Sequence, residues 1–482
     1  VERAERMNQL GDNLKREMAN HIARIVFSAP AKIMLENGAS QSLINDLKNR
    51  AELQLIGAKR MINLNSSKQL AGLMNVFGIY CPKDMLTKTG AQSFKEEVLI
   101  ALENKFPVGS LQRDLILTLI RYRKLCTLQR NYLLTETGKG MISQIDPATN
   151  RVYSDFRPNG TETGRPTSRE PNLYNIIGSE KLKSLFPNHY RDLDIRSLFK
   201  APDGHKIVEL DYKQAEIRIL AFDAYRMYRT AKKMYDKLPF DIQMGMDIPW
   251  GKPMIQFLDR GFLVKDMPKE HFDPEKYVER DGNFYLTDIH TWVASVSFNI
   301  KPWEVDKETR RKAKTTIFGL NYGMGAESLA KRLGITKEEA DDLIDKIFQG
   351  IGNIAYYHKF LEFLAKTKKR IQGVFGQVKH IGEINPHVIR EVYDYIPQST
   401  VGKLLNRSAI RIQELIRTFG LRSRLFLSVY DSLMLYVPEE ELYIVPEVKK
   451  VMEQKIPVYD RYLPTDVKIM DRWSPVEDEF QS

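Results

Sequence analysis

The chain of 482 residues has only two cysteines, Cys81 and Cys126, and eight scattered histidines. Neither cysteine sits in a CxxC pattern, so no zinc cluster can be assembled from them, and a reducing intracellular compartment is the natural reading. No run of about 18 uninterrupted apolar residues occurs, and no charged-then-apolar leader, so neither a membrane span nor a secretory signal is expected. An initiator methionine is also missing: the chain opens on Val1, and a fragment or processed product is expected.

What is present is soluble and globular in character, with 43% apolar and 28% charged residues. The length exceeds one ordinary core and predicts two or three lobes. Lys and Arg number 73 against 62 Asp and Glu, a formal charge of +11. Such an excess favours a polyanionic partner, nucleic acid first and an acidic membrane surface second.

One carboxylate organises the rest. Lys206 to Leu210 reads as a short strand entered through the turn Pro202-Asp203-Gly204, and Ile217, Leu220 and Ala221 carry helical spacing. Asp211 therefore stands at a strand-to-helix junction, where it reads either as a helix cap, with Gln214 three residues on, or as a metal ligand.

A second stretch, Arg310 to Gly323, reads as a helix. At about 100° per residue, Arg310, Lys314 and Phe318 fall within about 80° of arc, and Tyr322 extends that face. The cations suit a polyphosphate and the rings suit stacking on a base. Gly319 and Gly323, each costing a helix about 1 kcal/mol, suggest close approach of another backbone or a hinge.

Elsewhere, residues 1 to about 60 read as long exposed helices with Ile22, Ile25 and Val26 in an apolar stripe. Arg151 to Arg157 alternates as a strand, and the Arg- and Asn-rich run from Thr161 to Ile176 suits a nucleic-acid backbone or minor groove. About 65 residues then separate Ala221 from Thr287, longer than an ordinary connection; they read as a partly helical insertion of unassigned role. A long helix follows Arg390 to Ser399. Leu425 to Tyr430 and Leu433 to Val437 form a hairpin signal with Asp431 at its tip, where alone it reads as a turn residue.

In this order the segments resemble the family A DNA polymerases of bacterial and phage type. Asp211-Tyr212-Lys213-Gln214-Ala215-Glu216-Ile217-Arg218 is similar to that family's first catalytic motif, Arg310 to Gly323 to its fingers helix, and Tyr430-Asp431-Ser432 to its third motif. Thr163-Gly164-Arg165 with Pro171-Asn172-Leu173 resembles its primer-template segment. The resemblance implies an α+β right-hand fold: N-terminal helices and thumb at 1–135, a palm with an antiparallel sheet at 136–222 and 401–482, and helical fingers at 223–400 holding an insertion at about 225–285. It implies DNA-templated addition of dNTPs to a primer 3′-hydroxyl, with release of pyrophosphate. Alternatives are an attenuated primer-template-binding replication factor and a single-subunit RNA polymerase.

The resemblance further implies two Mg2+ ions, replaceable by Mn2+, on Asp211, Asp431 and the Tyr212 carbonyl. Gln214, His290, Arg310 and Lys314 would grip the triphosphate, Phe318 and Tyr322 would meet the base pair, and Glu216 would exclude a ribose 2′-hydroxyl. Arg165, Asn175, Arg390, Gln398 and Lys88 would contact DNA. Primer-template DNA and dNTPs are the expected partners, with a separate exonuclease or processivity factor beside them and no membrane. The expected setting is the cytoplasm of a bacterium or phage-infected cell, an organelle being a further option. One departure stands out: Ser432 occupies the place of the family's usual Glu, which leaves two acids for two metals.

Overall fold

A computed structural model describes residues 2–55, 63–64, 66–87, 89–103, 105–133, 140–237, 261–274, 276–333, 335–351 and 354–474. It divides into two compact units, one of Val1–Asp155, Ser168–Lys200 and Arg472–Ser482, the other of Phe156–Thr167 and Ala201–Asp471.

In the first unit, helix α1 (Glu2–Ser28) packs on α2 (Gln41–Leu55) and α3 (Leu111–Tyr132). Ile44, Leu47 and Ala51 recur every three or four residues and so form one face of α2. With Ile22, Val26, Leu115 and Leu119 they build a single apolar core. The N-terminal helices are therefore not simply exposed, because their apolar stripe is covered by α2 and α3. Ser110 starts α3 by accepting the Arg113 N–H at 3.3 Å. The strand expected from Arg151 to Arg157 is interrupted: Arg151–Val152 and Asp155–Arg157 are separate pieces. Between them Ser154 donates its hydroxyl to the Pro171 carbonyl at 2.9 Å.

The second unit is built on β1 (His205–Tyr212), which runs into α4 (Ala215–Tyr235). The expected insertion is only partly helical. Helix α4 extends into it, residues 238–260 lie outside the described residues, and the remainder is a sheet of β2 (Phe262–Val264), β3 (Tyr277–Arg280) and β4 (Asn283–Leu286), in the order β2-β4-β3. The β3–β4 link is Asp281-Gly282, with φ of +51° and +72°, the backbone of a two-residue hairpin turn.

Beyond it lie α5 (Ile289–Phe298), α6 (Lys307–Asn321) and α7 (Pro386–Thr418), then β5 (Arg424–Val429), β6 (Ser432–Pro438) and β7 (Thr465–Met470). Strands β5-β6-β1-β7 form one antiparallel sheet in that order. Alternation along β1 buries Val208, Leu210 and Tyr212 on one face, and Ile207 is buried on the other. The Tyr212 hydroxyl donates to the Met452 carbonyl at 3.0 Å and lies 2.9 Å from the Ser408 hydroxyl on α7. Helix α4 is buried on two faces: Ile217 and Leu220 meet the core of α5 and α6, while Ile219 and Phe222 meet the core beneath the sheet.

Candidate active site

Sheet register brings the two acids together. Asp211 on β1 pairs with Ser432 on β6, and Asp431 is the residue before it, in the turn that joins β5 to β6. The Tyr212 N–H donates to the Asp431 carbonyl at 3.2 Å, which ties the turn to the end of β1. Tyr430, leading into the tip, takes φ +54°, a conformation that side chains rarely adopt. Asp211 is a strand residue and α4 begins at Ala215, so the helix-cap reading of Asp211 does not hold. Gln214 precedes the helix instead, and its carbonyl accepts the Arg218 N–H at 3.0 Å.

Burial raises the pKa of Asp211 to about 7, with Asp431 and Glu209 adding like charge. Burial likewise raises Asp431, with Glu216 adding like charge while Arg165 and Lys314 oppose. The Ser432 hydroxyl donates to the Val429 carbonyl at 3.0 Å and closes the hairpin. Asp466 pairs with Asp211 from the other side, on β7, with its carboxylate 2.6 Å from the Lys213 ammonium.

The cationic face starts where Asp306 caps α6, accepting the Thr309 N–H at 2.7 Å. Arg310 forks onto Asp288, with Nε at 2.6 Å and Nη2 at 3.1 Å. Asp288 also caps α5, accepting from Thr291 Oγ1 at 2.6 Å and from the His290 N–H at 3.3 Å. Gln214 Nε2 reaches the same carboxylate at 3.4 Å. Burial pushes Asp288 up, but the Arg310 and Thr291 hydrogen bonds prevail and hold it below its ordinary range. Burial drives His290 down to about 4, against Asp288 and with help from Arg310 and Lys314. It is thus a neutral ring among cations, 5.9 Å from the ring of Phe318. Lys314 is exposed.

A third group surrounds Glu216. Its two carboxylate oxygens accept from Arg165 Nη2 and from the Tyr322 hydroxyl, so the first turn of α4 is linked to the end of α6. Asp394, on α7, joins them. Burial pushes its carboxyl to about 7, Glu216 adding like charge while Arg165 and a hydrogen bond to Gln398 oppose. Gly323, at φ +76°, leaves no room for a side chain, since a Cβ there would stand 2.7 Å from the Tyr393 ring and 3.4 Å from Arg390 Cγ. At Gly319 a Cβ would meet Met324. The close approach expected at these glycines is made by side chains and not by a second backbone.

The second unit thus gathers Asp211, Gln214, Glu216, His290, Arg310, Lys314, Phe318, Tyr322, Arg165, Arg390, Gln398 and Asp431. Asn175 belongs to the first unit, where its N–H donates to Asn172 Oδ1 at 3.3 Å. Lys88 lies outside the described residues. The sequence reading missed Asp288, Asp394 and Asp466. An acid three residues ahead of Thr291 was a cap signal for the first, and Asp394 falls one turn from both Arg390 and Gln398. Asp466 had no local signal, because strand pairing alone brings it to Asp211.

Residues 35–226 and 280–475 match the profile of DNA polymerase family A. DNA polymerase I of Chloroflexus aurantiacus is 28% identical over 88% of this chain and 38% of its own length. The thermostable DNA polymerase I of Thermus aquaticus is 28% identical over 84% of this chain and 41% of its own. The chain therefore spans about two fifths of these relatives. A solved structure described as the POL domain of Pol1 from M. smegmatis, in complex with DNA primer-template and dNTP, shares the fold at a TM-score of 0.63 and 22% identity, covering 96% of this chain and 70% of that one.

Proposed function

This chain belongs to the family A DNA polymerases, and from that premise we propose that it extends a DNA primer on a DNA template, adding dNTPs to the 3′-hydroxyl with release of pyrophosphate. The reading rests above all on the sheet register that sets the Asp431 turn beside Asp211, within one unit with the Arg310–Lys314 face of α6. In this reading the thumb falls within 1–135, the palm within 136–222 and 401–482, and the fingers within 223–400. The setting in this reading is the cytoplasm, which the bacterial relatives support.

Membership in the family implies dependence on a divalent metal. The donors fit a hard cation: two half-buried carboxylates, raised by burial and like charge, favour a cation that would let both ionise. Asp211, Asp431 and the Tyr212 carbonyl would hold Mg2+, two ions in our reading, with Mn2+ as a substitute. Bound there, the metal would favour the hydroxyl's deprotonation and neutralise the leaving pyrophosphate.

The remaining residues bind and orient. Arg310 and Lys314 grip the triphosphate with Gln214 and the neutral His290, which adds no charge of its own. Arg310 reaches phosphate by exchanging one carboxylate partner, Asp288, for another anion. Phe318 packs on the incoming base, and Tyr322 stacks at the template position once it parts from Glu216. Glu216, steadied by Arg165, occupies the space of a ribose 2′-hydroxyl. Arg165 and Gln398 contact the minor groove, where acceptors occur on every base pair; Arg390, Asn175 and Lys88 meet the DNA strands. Neither alternative expected from the sequence is favoured: the retained acids and phosphate-gripping face count against an attenuated binder, and Glu216 and Phe318 count against an RNA polymerase.

The test is primer extension by Asp211→Asn and Asp431→Asn. Each is expected to lose at least about 10³-fold in rate, as removal of a charge-stabilising group at a reacting centre does. Undiminished extension by either variant would overturn the assignment.

A further inference from the structure

Helix α4 starts beside the acids and, further along, lines an open cleft of about 480 Å³ whose walls include Tyr225, Arg226, Arg229 and Lys233, with Tyr459 and Arg461 from the loop before β7. The volume lies within the range of small-molecule sites, about 300–1,000 Å³. Arg226, Arg229 and Lys233 recur every three or four residues and share one helix face. At about 1.5 Å per residue, Arg229 stands about 20 Å along the helix from Glu216. The cleft is therefore distinct from the proposed dNTP site.

Its walls are held in place. Asp223, fully buried beneath the cleft, pairs with Arg226 Nη2 at 2.7 Å and accepts from the Tyr459 hydroxyl at 3.2 Å. One carboxylate thus fixes a cation from the helix and a ring from the facing loop. The Arg229 guanidinium lies over Tyr225 at 5.9 Å from the ring centroid, and Tyr225 stacks on Tyr228 at 6.3 Å. Asp223 offsets Arg226, and the acid of the lining, Asp460, is paired with Lys455 at 2.5 Å, so Arg229 and Lys233 give the cleft its positive sign.

We propose that this cleft binds a phosphate-bearing nucleotide, with its phosphate on Arg229 and Lys233, beside the Asp223-held Arg226, and its base against the tyrosine rings. Guanidinium forks onto two phosphate oxygens, and a base face stacks on an aromatic ring whatever its identity. A free nucleotide and an unpaired nucleotide of a single strand share this chemistry. The proposal goes beyond the polymerase reading and does not depend on it.

The probe is 8-azido-ATP, photolysed with the full chain in chelator, with the labelled peptides mapped. Saturable labelling of the peptides holding Tyr225 or Tyr459 is expected, reduced about ten-fold in Arg229→Glu/Lys233→Glu, as loss of charge-assisted phosphate contacts predicts. If that variant melts early, Arg229→Gln/Lys233→Gln makes the same test with less charge change. Suppression of labelling by ADP identifies a free nucleotide, and suppression by a short oligothymidylate identifies a single strand. Labelling confined to α6, labelling that survives the substitutions, or labelling suppressed by neither competitor overturns the proposal.

Discussion

Burial raises the pKa of Asp211 and of Asp431 at the end of adjoining strands, with like charge added by Asp431 and Glu209 on the first and by Glu216 on the second. An Asp whose folded pKa lies above its ordinary value stabilises the fold fully only at low pH, and that contribution is lost as pH rises through the folded pKa. For Asp211 the window runs from about 4 to about 7. Asn imitates the neutral acid, so in chelator Asp211→Asn is expected to melt with the parent at pH 4 and a few °C above it at pH 8; equal melting at both would show that the charged Asp211 costs the fold nothing. Added Mg2+ should raise the parent at pH 8 and not the variant. At Glu216 the carboxylate is held by Arg165 and Tyr322. Replacing it with Ala opens the proposed 2′-hydroxyl space, and ribonucleotide incorporation relative to deoxynucleotide should rise about a hundred-fold, measured by single-nucleotide extension; unchanged discrimination would deny Glu216 that role.

Among the elements, α6 carries the most proposed roles for its length and is fastened at both ends. Asp306 caps its start, and Tyr322 and Gly323 end it against Tyr393. Gly323 combines a left-handed φ with a ring where its Cβ would go. Gly323→Ala is therefore expected to cost about 1–3 kcal/mol in chemical unfolding and to slow extension by displacing Tyr322. A variant as stable and active as the parent would show that the α6 terminus repacks freely. The face of α6 was legible from residue spacing, because 3.6-residue periodicity is local. Its partner Asp288 was not recognised, because an N-cap and a guanidinium partner are the same residue type with different neighbours. The insertion sheet was overlooked for a related reason: its strands are three or four residues long, too short for alternation to stand out.

At the scale of the whole molecule, the excess of 73 basic over 62 acidic residues predicts binding driven by counterion release. If primer-template contacts at least about six phosphates, affinity in chelator should fall by about 10³ or more between roughly 50 and 200 mM salt, linear on logarithmic axes. Fluorescence anisotropy would measure it, and a flat plot would count against a phosphate-dominated interface. Among the described residues no helix is long and apolar enough to cross a membrane.

Much of the site was written locally: the acid at the end of β1, the two cations and two rings on α6, the hairpin with its acid, each encoded by spacing within about fifteen residues. From these the sequence alone established the family resemblance and the residues to which the roles are proposed. Tertiary structure decided the rest, since it depends on pairing across long separations. Strand register makes Asp211 a neighbour of Asp431 and Asp466, and side chains from α4, α6 and α7 meet around Glu216. Asp211 was a helix cap or a ligand in the sequence. Pairing with β6 and β7 continues the strand through it, and the cap reading ends there because a residue in a sheet ladder does not begin a helix.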